Sequence, residues 1–158
     1  MGIKLARIDE RLVHGIVVTQ WTSTTNAQRI MVIDDVVAED EMRKSAMRMS
    51  KPSGVGMSLI NEKTAITNIK AGKYDNHNVL LVVNNVEVLV RLAKEGIKIP
   101  KVNIGIMLDR PERKKYEKSF AATENELQLL KELEDMGIPV TYQFAPSDKE
   151  VSLKEYLK

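Results

Sequence analysis

The chain has 158 residues, 43% of them apolar and 29% charged, the balance of an ordinary soluble globular protein that fits one domain. Its 24 basic and 22 acidic residues leave a net charge of +2, and aromatics make up only 4%, which argues against a nucleic-acid binder. It has no cysteine, no run near the roughly 20 apolar residues of a membrane span, and no apolar stretch in MGIKLARIDER for a signal peptide, so disulfides, thiolate chemistry and membrane insertion are excluded.

The first predicted strand covers residues 3–8 and runs into RIDERLVHG (7–15), where two arginines, two carboxylates and one of the chain's two histidines share nine positions. A helix is expected from near Gly15, with Val17, Val18 and Trp21 reading as its packing face. The second strand, 30–34, ends at Asp34 and Asp35, which read as a loop acid or helix N-cap rather than as a metal site. Met42, Ala46 and Met49 share one face of the next helix, and Met42, Met47 and Met49 are expected as its core and flank. A strand at 55–60 precedes a helix carrying Ala65, Ile66 and Ile69. His77, in the turn-rich YDNHN, is given no role.

The strand at 79–83 ends at Asn84 and Asn85. Val86, Leu89, Val90 and Ala93 then recur at i, i+3, i+4 and i+7, one face of a helix that Gly96 caps before a strand at 102–106. The stretch 109–118, DRPERKKYEK, is too polar for core; a mobile loop, an antiparallel excursion and a docking surface all fit it. Its basic residues Arg113, Lys114, Lys115 and Lys118 read as a solvated face. A strand at 119–122 follows, and Thr123 with Glu126 forms a capping box that opens a helix with Leu127, Leu130 and Leu133 inward. Gly137 caps that helix, and a strand at 140–144 closes the pattern. Alternating strands and helices predict an α/β fold, an open, mostly parallel sheet of about seven strands with helices on both faces. No Gly/Ser-rich linker divides it, so one domain over 1–158 is expected.

In such folds ligands bind beyond the carboxyl ends of the strands, and the first of these ends is the richest here. A neutral imidazole is a good nucleophile, with an unperturbed pKa of ~6.5. Arg11, three positions before His14, and the free N–H groups of a helix starting at Gly15 could hold a phosphoryl group. Asp9 could accept from the histidine ring or anchor Arg11, and Gly15 keeps bulk away from the incoming group. The plain alternative is a solvated loop histidine. Arg7 and Glu10 are expected in surface ion pairs, worth roughly 0–1 kcal/mol. There is no GxGxxG, Walker loop, HExxH or GxSxG.

RIDERLVHG followed by VVTQW, RIMVIDD followed by VVAEDEMRK, the strand VNIG, and AATENELQLLKELEDMGIPV occur in matched order and spacing over nearly the whole chain. Together they resemble the IIB components of the mannose/sorbose family of sugar phosphotransferase systems. The resemblance implies a phosphotransferase that takes a phosphoryl group from a phosphohistidine on a IIA protein and passes it to a sugar during uptake through membrane partners IIC and IID. It implies His14 as the phosphohistidine, flanked by Asp9 and Arg11, in a parallel sheet with one antiparallel strand near an edge. Topology adds Gly15, Asn84 and Asn85 as candidate phosphate-site residues. No metal or other cofactor is required, and a cytoplasmic protein held at the inner membrane face by IIC and IID is expected. A hexose or amino sugar is favoured on overall resemblance; a homodimer is left open, since no helix shows a sustained heptad.

Two departures bear on this. Ile16 stands where the family commonly has Gln, and Ile106 where many members have a second glycine. They leave room for a transfer-inactive binding or regulatory paralogue of the same fold. A hydrolase using His14 as general base lacks a nucleophile or a metal cluster.

Overall fold

The computed structural model describes residues 2–158. Its main sheet joins β1 (Gly2–Asp9), β2 (Arg29–Ile33), β3 (Gly56–Ile60), β4 (Asn78–Val83), β5 (Val102–Ile106), β8 (Val140–Tyr142) and β9 (Val151–Ser152) in the order β3-β2-β4-β1-β5-β8-β9. Every pairing is parallel except β8 with β9 at one edge. A separate antiparallel hairpin is made by β6 (Lys114–Glu117) and β7 (Phe120–Ala122). The helices are α1 (residues 15–24, with a wide π-helical turn at Val17–Trp21), α2 (Asp35–Ala38), α3 (Glu41–Ser50), α4 (Glu62–Lys70), α5 (Val86–Lys94) and α6 (Glu124–Asp135). No helix among the described residues is long and apolar enough to cross a membrane.

The strands are nearly unbroken runs of Val, Ile, Leu and Met because helices cover both sheet faces. α4, α5 and α6 lie on one face over Ala6, Ile8, Met31, Ile33, Leu81 and Ile104. α1 and α3 lie on the other over Leu5, Ile30, Val32, Leu80 and Val82. Asp34, Asn61, Asn85 and Thr123 each cap a helix by accepting a backbone N–H, and Thr123 with Glu126 forms the expected capping box. Gly96 and Gly137 follow helix ends at φ +83° and +86°, a conformation that Cβ disfavours.

Alternation along β1 puts Leu5, Arg7 and Asp9 on the α1 face, and Arg7 pairs in register with Asn103 of β5. Arg7 is therefore not in a surface ion pair. It is wholly buried, as is Asp9, and its guanidinium donates to Asp9 Oδ2 (Nε, 3.0 Å), to Asn103 Oδ1 (Nη1, 2.8 Å) and to the Gln143 carbonyl. The Trp21 ring covers it at 5.0 Å, while Trp21 Nε1 donates to the Phe144 carbonyl, so Trp21 packs as expected of helix α1. Gly105 makes the room: a Cβ there would stand 2.2 Å from Arg7 Cζ.

The α3 methionines, the strand at 119–122, Arg113 and Glu10 lie otherwise than the sequence predicts. Met42 and Met49 are 83% and 87% exposed, and Met47 is the residue of α3 that enters the core. The cap from Asp40 to Arg43 N and the preceding turn α2 fix the phase of α3, and that phase turns Met47 rather than the 42–46–49 stripe to the sheet. The 109–118 stretch takes its antiparallel form as β6, and the strand at 119–122 leaves the main sheet to join it; the short β9 fills the seventh place instead. Arg113 is not a solvated residue. It grips Glu126 with both Nε (2.9 Å) and Nη2 (2.7 Å) and also bonds Glu10, which in turn holds Arg110 and accepts the Leu108 N–H at 3.0 Å. Glu10, too, is thus a mostly buried latch rather than a surface partner.

Burial opposes ionisation of Glu126, yet the Arg113 hydrogen bonds and the Thr123 cap prevail and hold its carboxyl below the ordinary range. A folded-state value below the unfolded one contributes stability at neutral pH that disappears as pH falls through the depressed value. Glu126→Gln should therefore lower the unfolding free energy at pH 7 by about 1–3 kcal/mol, with a difference that shrinks as the pH is lowered into the acid range, read by urea titration at a series of pH values. Gly105→Ala should cost at least about 2 kcal/mol, because Arg7 is boxed in by Trp21 and Asn103 and has nowhere to retreat. Gly15→Ala, whose Cβ would meet nothing within 4 Å, should stay within about 0.5 kcal/mol in the same titration.

Candidate functional site

The segment 10–14 leaves the carboxyl end of β1, which lies between β4 and β5. The chain passes from β1 through α1 on one sheet face, and from β4 through α5 on the other, so the loops after these two adjacent strands diverge and open a crevice. Within the loop the chain folds around the Asp9 carboxylate. Arg11 N donates to Oδ1 at 2.9 Å, Leu12 N donates to the Asp9 carbonyl at 2.9 Å, and His14 Nε2 meets Oδ2 at 2.7 Å. Leu12 makes the turn at φ +58° and is fully buried in the core beneath α1. A leucine in that region is strained, and the burial of its side chain holds it there.

The His14 carbonyl accepts the Val18 N–H at 3.0 Å, so His14 stands at the N-terminal threshold of α1. The first-turn amides that follow have no intrahelical acceptors and carry the positive end of the helix dipole. Because a carboxylate only accepts, Nε2 bears a proton in this contact; in the neutral ring the lone pair then belongs to Nδ1. The ring is 22% exposed, while Asp9 and Arg7 behind it are sealed. Burial lowers the basicity of Arg7, and the adjacent Asp9 carboxylate works the other way.

His14, Arg11, Gly15 and Thr19 form one wall of an open groove of about 530 Å³; Arg43, Met47 and Ser50 of α3 form the other. Two exposed guanidiniums, from Arg11 and Arg43, thus border the histidine. Sequence reasoning missed Arg43. The stripe of Met42, Ala46 and Met49 pointed inward on paper, which hid the polar edge of α3; the Asp40 cap is the signal that sets its true phase. The structure does not bring Asn84 and Asn85 to this groove. Asn85 caps α5 through Val88 N at 3.0 Å and bonds Asn84 at 2.7 Å, and both line a separate cleft with Glu10, Glu87, Arg113 and Glu126. In that cleft, burial and the nearby Glu126 charge raise the Glu87 carboxyl. His77 is half-buried in its turn, where its carbonyl accepts the Gly2 N–H. No group of three or more His, Asp or Glu side chains suited to a metal occurs among the described residues.

Ile16 packs against the core beneath α1. Ile106 lies 3% exposed within β5 and is not among the residues of positive φ, so its position does not require glycine.

The family model described as "PTS system sorbose subfamily IIB component" matches residues 3–158. The chain is similar to the sorbose-specific EIIB component of Klebsiella pneumoniae, 31% identical over 97% of this chain and 93% of that one. It is 32% identical to the fructose-specific EIIB component of Bacillus subtilis over 100% of this chain and 97% of the relative. The crystal structure of the IIBSor domain of the Klebsiella pneumoniae sorbose permease superposes with a TM-score of 0.93 at 30% identity, covering 99% of this chain and 96% of the other. The chain belongs to the sorbose subfamily of PTS IIB components, phosphotransferases of sugar uptake.

Proposed function

We propose that the protein is a phosphohistidine carrier that receives a phosphoryl group on His14 Nδ1 from a phosphorylated IIA protein and delivers it to a sugar entering through IIC and IID. The observation that carries this reading is the hydrogen bond of His14 Nε2 to Asp9, which leaves Nδ1 as the free nucleophile at the threshold of a helix. In the acceptance step the donor's N–P bond breaks as the His14 Nδ1–P bond forms. The proton on Nε2 stays on Asp9's side throughout, and no other proton has to move. Arg11, Arg43 and the first-turn amides of α1 hold the equatorial oxygens. In the second transfer the His14 Nδ1–P bond breaks as a sugar hydroxyl oxygen forms its bond to phosphorus; Nδ1 recovers its lone pair, Nε2 keeps its proton, and the hydroxyl proton passes to water.

The groove is open rather than enclosed, as suits a site that must meet one protein partner and then another. Met42 and Met49 project from the same helix that supplies Arg43 and offer adaptable apolar contacts to such partners. Nothing in this chemistry calls for a metal or a nucleotide. The reading carries with it a cytoplasmic site of action at the inner membrane face. Against a transfer-inactive paralogue stand the complete His14–Asp9–Arg11 arrangement and the unstrained seats of Ile16 and Ile106.

Incubation with phosphoenolpyruvate, Enzyme I, HPr and a family IIA protein should add one acid-labile phosphoryl group by intact mass, and His14→Ala should take up none. Arg11→Ala and Arg43→Ala should keep the folded spectrum and slow acceptance by about 10²-fold each. Uptake by His14→Ala, or none by the wild type with several competent IIA partners, would refute the proposal.

A further inference from the structure

Behind the site lies a charge that acceptance of a phosphoryl group does not touch. Arg7 and His14 converge on the same oxygen: Asp9 Oδ2 is 3.0 Å from Arg7 Nε and 2.7 Å from His14 Nε2. We infer that Arg7 is a positioning residue whose buried charge balances Asp9, so that His14 stays a neutral Nε2–H imidazole with its Nδ1 lone pair turned to the groove. The inference rests on the phosphocarrier reading for its consequence, though not for its physics.

Arg7 cannot swing away. Asn103 and the Gln143 carbonyl hold Nη1, Trp21 covers the guanidinium at 5.0 Å, and the missing Cβ of Gly105 fits it. Burial lowers its basicity, but a guanidinium does not release its proton in a protein. As a stabiliser such a pair is poor, since apolar residues of equal volume commonly serve a core as well or better. Its effect on Asp9 is another matter. Without Arg7, a fully buried carboxylate would keep only the Arg11 amide and His14 as donors. The imidazole would then be drawn to carry the compensating positive charge, and an imidazolium has no lone pair on either nitrogen. The other charged groups facing His14 are Arg11 from its own loop and Arg43 from α3, both solvent-exposed, together with the positive end of α1. Of the cations, only Arg7 is sealed against Asp9.

The test follows the His14 ring nitrogens by NMR from pH 5 to 9 in the unphosphorylated wild type, Arg7→Met, Arg7→Gln and Arg7→Lys, with phosphoryl acceptance measured alongside. In the folded neutral variants the His14 titration should move up by about one pH unit or more. Acceptance should fall by about tenfold below the new midpoint and recover toward the wild-type rate in alkali. Arg7→Lys, which keeps the charge, should titrate close to the wild type. A folded neutral variant with an unmoved titration, or with a loss equal at every pH, overturns the inference. If no neutral variant folds, the wild-type spectrum still exposes the inference to refutation, since an Nδ1–H tautomer would contradict it outright. Because the titration needs no transfer, a wild type that takes up no phosphoryl group sinks the phosphocarrier reading and leaves the Arg7 coupling to be judged on the spectra.

Discussion

The site depends on one carboxylate. Asp9 ends the central strand β1, is sealed from solvent, and accepts from three directions: the Arg7 side chain, the Arg11 amide and the His14 ring. Each bond fixes something different. The first ties the loop to the sheet interior, the second shapes the turn, and the third sets the orientation and tautomer of the histidine. An uncompensated carboxylate in that place would cost several kcal/mol, so the packing of Arg7, Asn103, Trp21 and Gly105 is the condition under which the loop can exist.

The same loop is held from its other side. Glu10 points away from the groove into Arg110 and Arg113, and Arg113 reaches on to Glu126 in the capping box of α6. Between these two anchors Leu12 plugs the core in a left-handed turn. The strain of that turn, about 1–2 kcal/mol, is offset by burial of the leucine side chain, about 1.5–3 kcal/mol. The histidine is thus carried by a short segment fixed at both flanks and from below. Any partner that docks at the groove would meet it with little further ordering, which is where binding free energy is otherwise lost.

Much of the fold was legible because its signals are local. Apolar runs marked the strands of the parallel sheet, Thr123 and Glu126 marked the start of α6, and Gly96 and Gly137 marked helix ends. His14, Asp9 and Arg11 were legible as a crowded strand end, which the structure does bring together around the Asp9 carboxylate, and the resemblance of RIDERLVHG is what suggests a chemistry for them. What could not be read was set by long-range packing. Arg7 looks like a surface residue until Asn103, nearly a hundred positions later, pairs beside it and Gly105 leaves it room. Arg43 was hidden by a methionine stripe whose true phase is set by the Asp40 cap and the turn before it. Asn84 and Asn85 do sit at a strand end, but β4's crossover to the opposite face carries them into a different cleft.

The most direct measurement is the ring-nitrogen NMR spectrum of His14 in protein labelled with ¹⁵N-histidine and phosphorylated through a IIA partner. Phosphorus coupled to Nδ1, with the Nε2 proton retained, is the predicted result. Phosphorus on Nε2 would break the bond to Asp9 on which the site is built, and would contradict the mechanism at its centre.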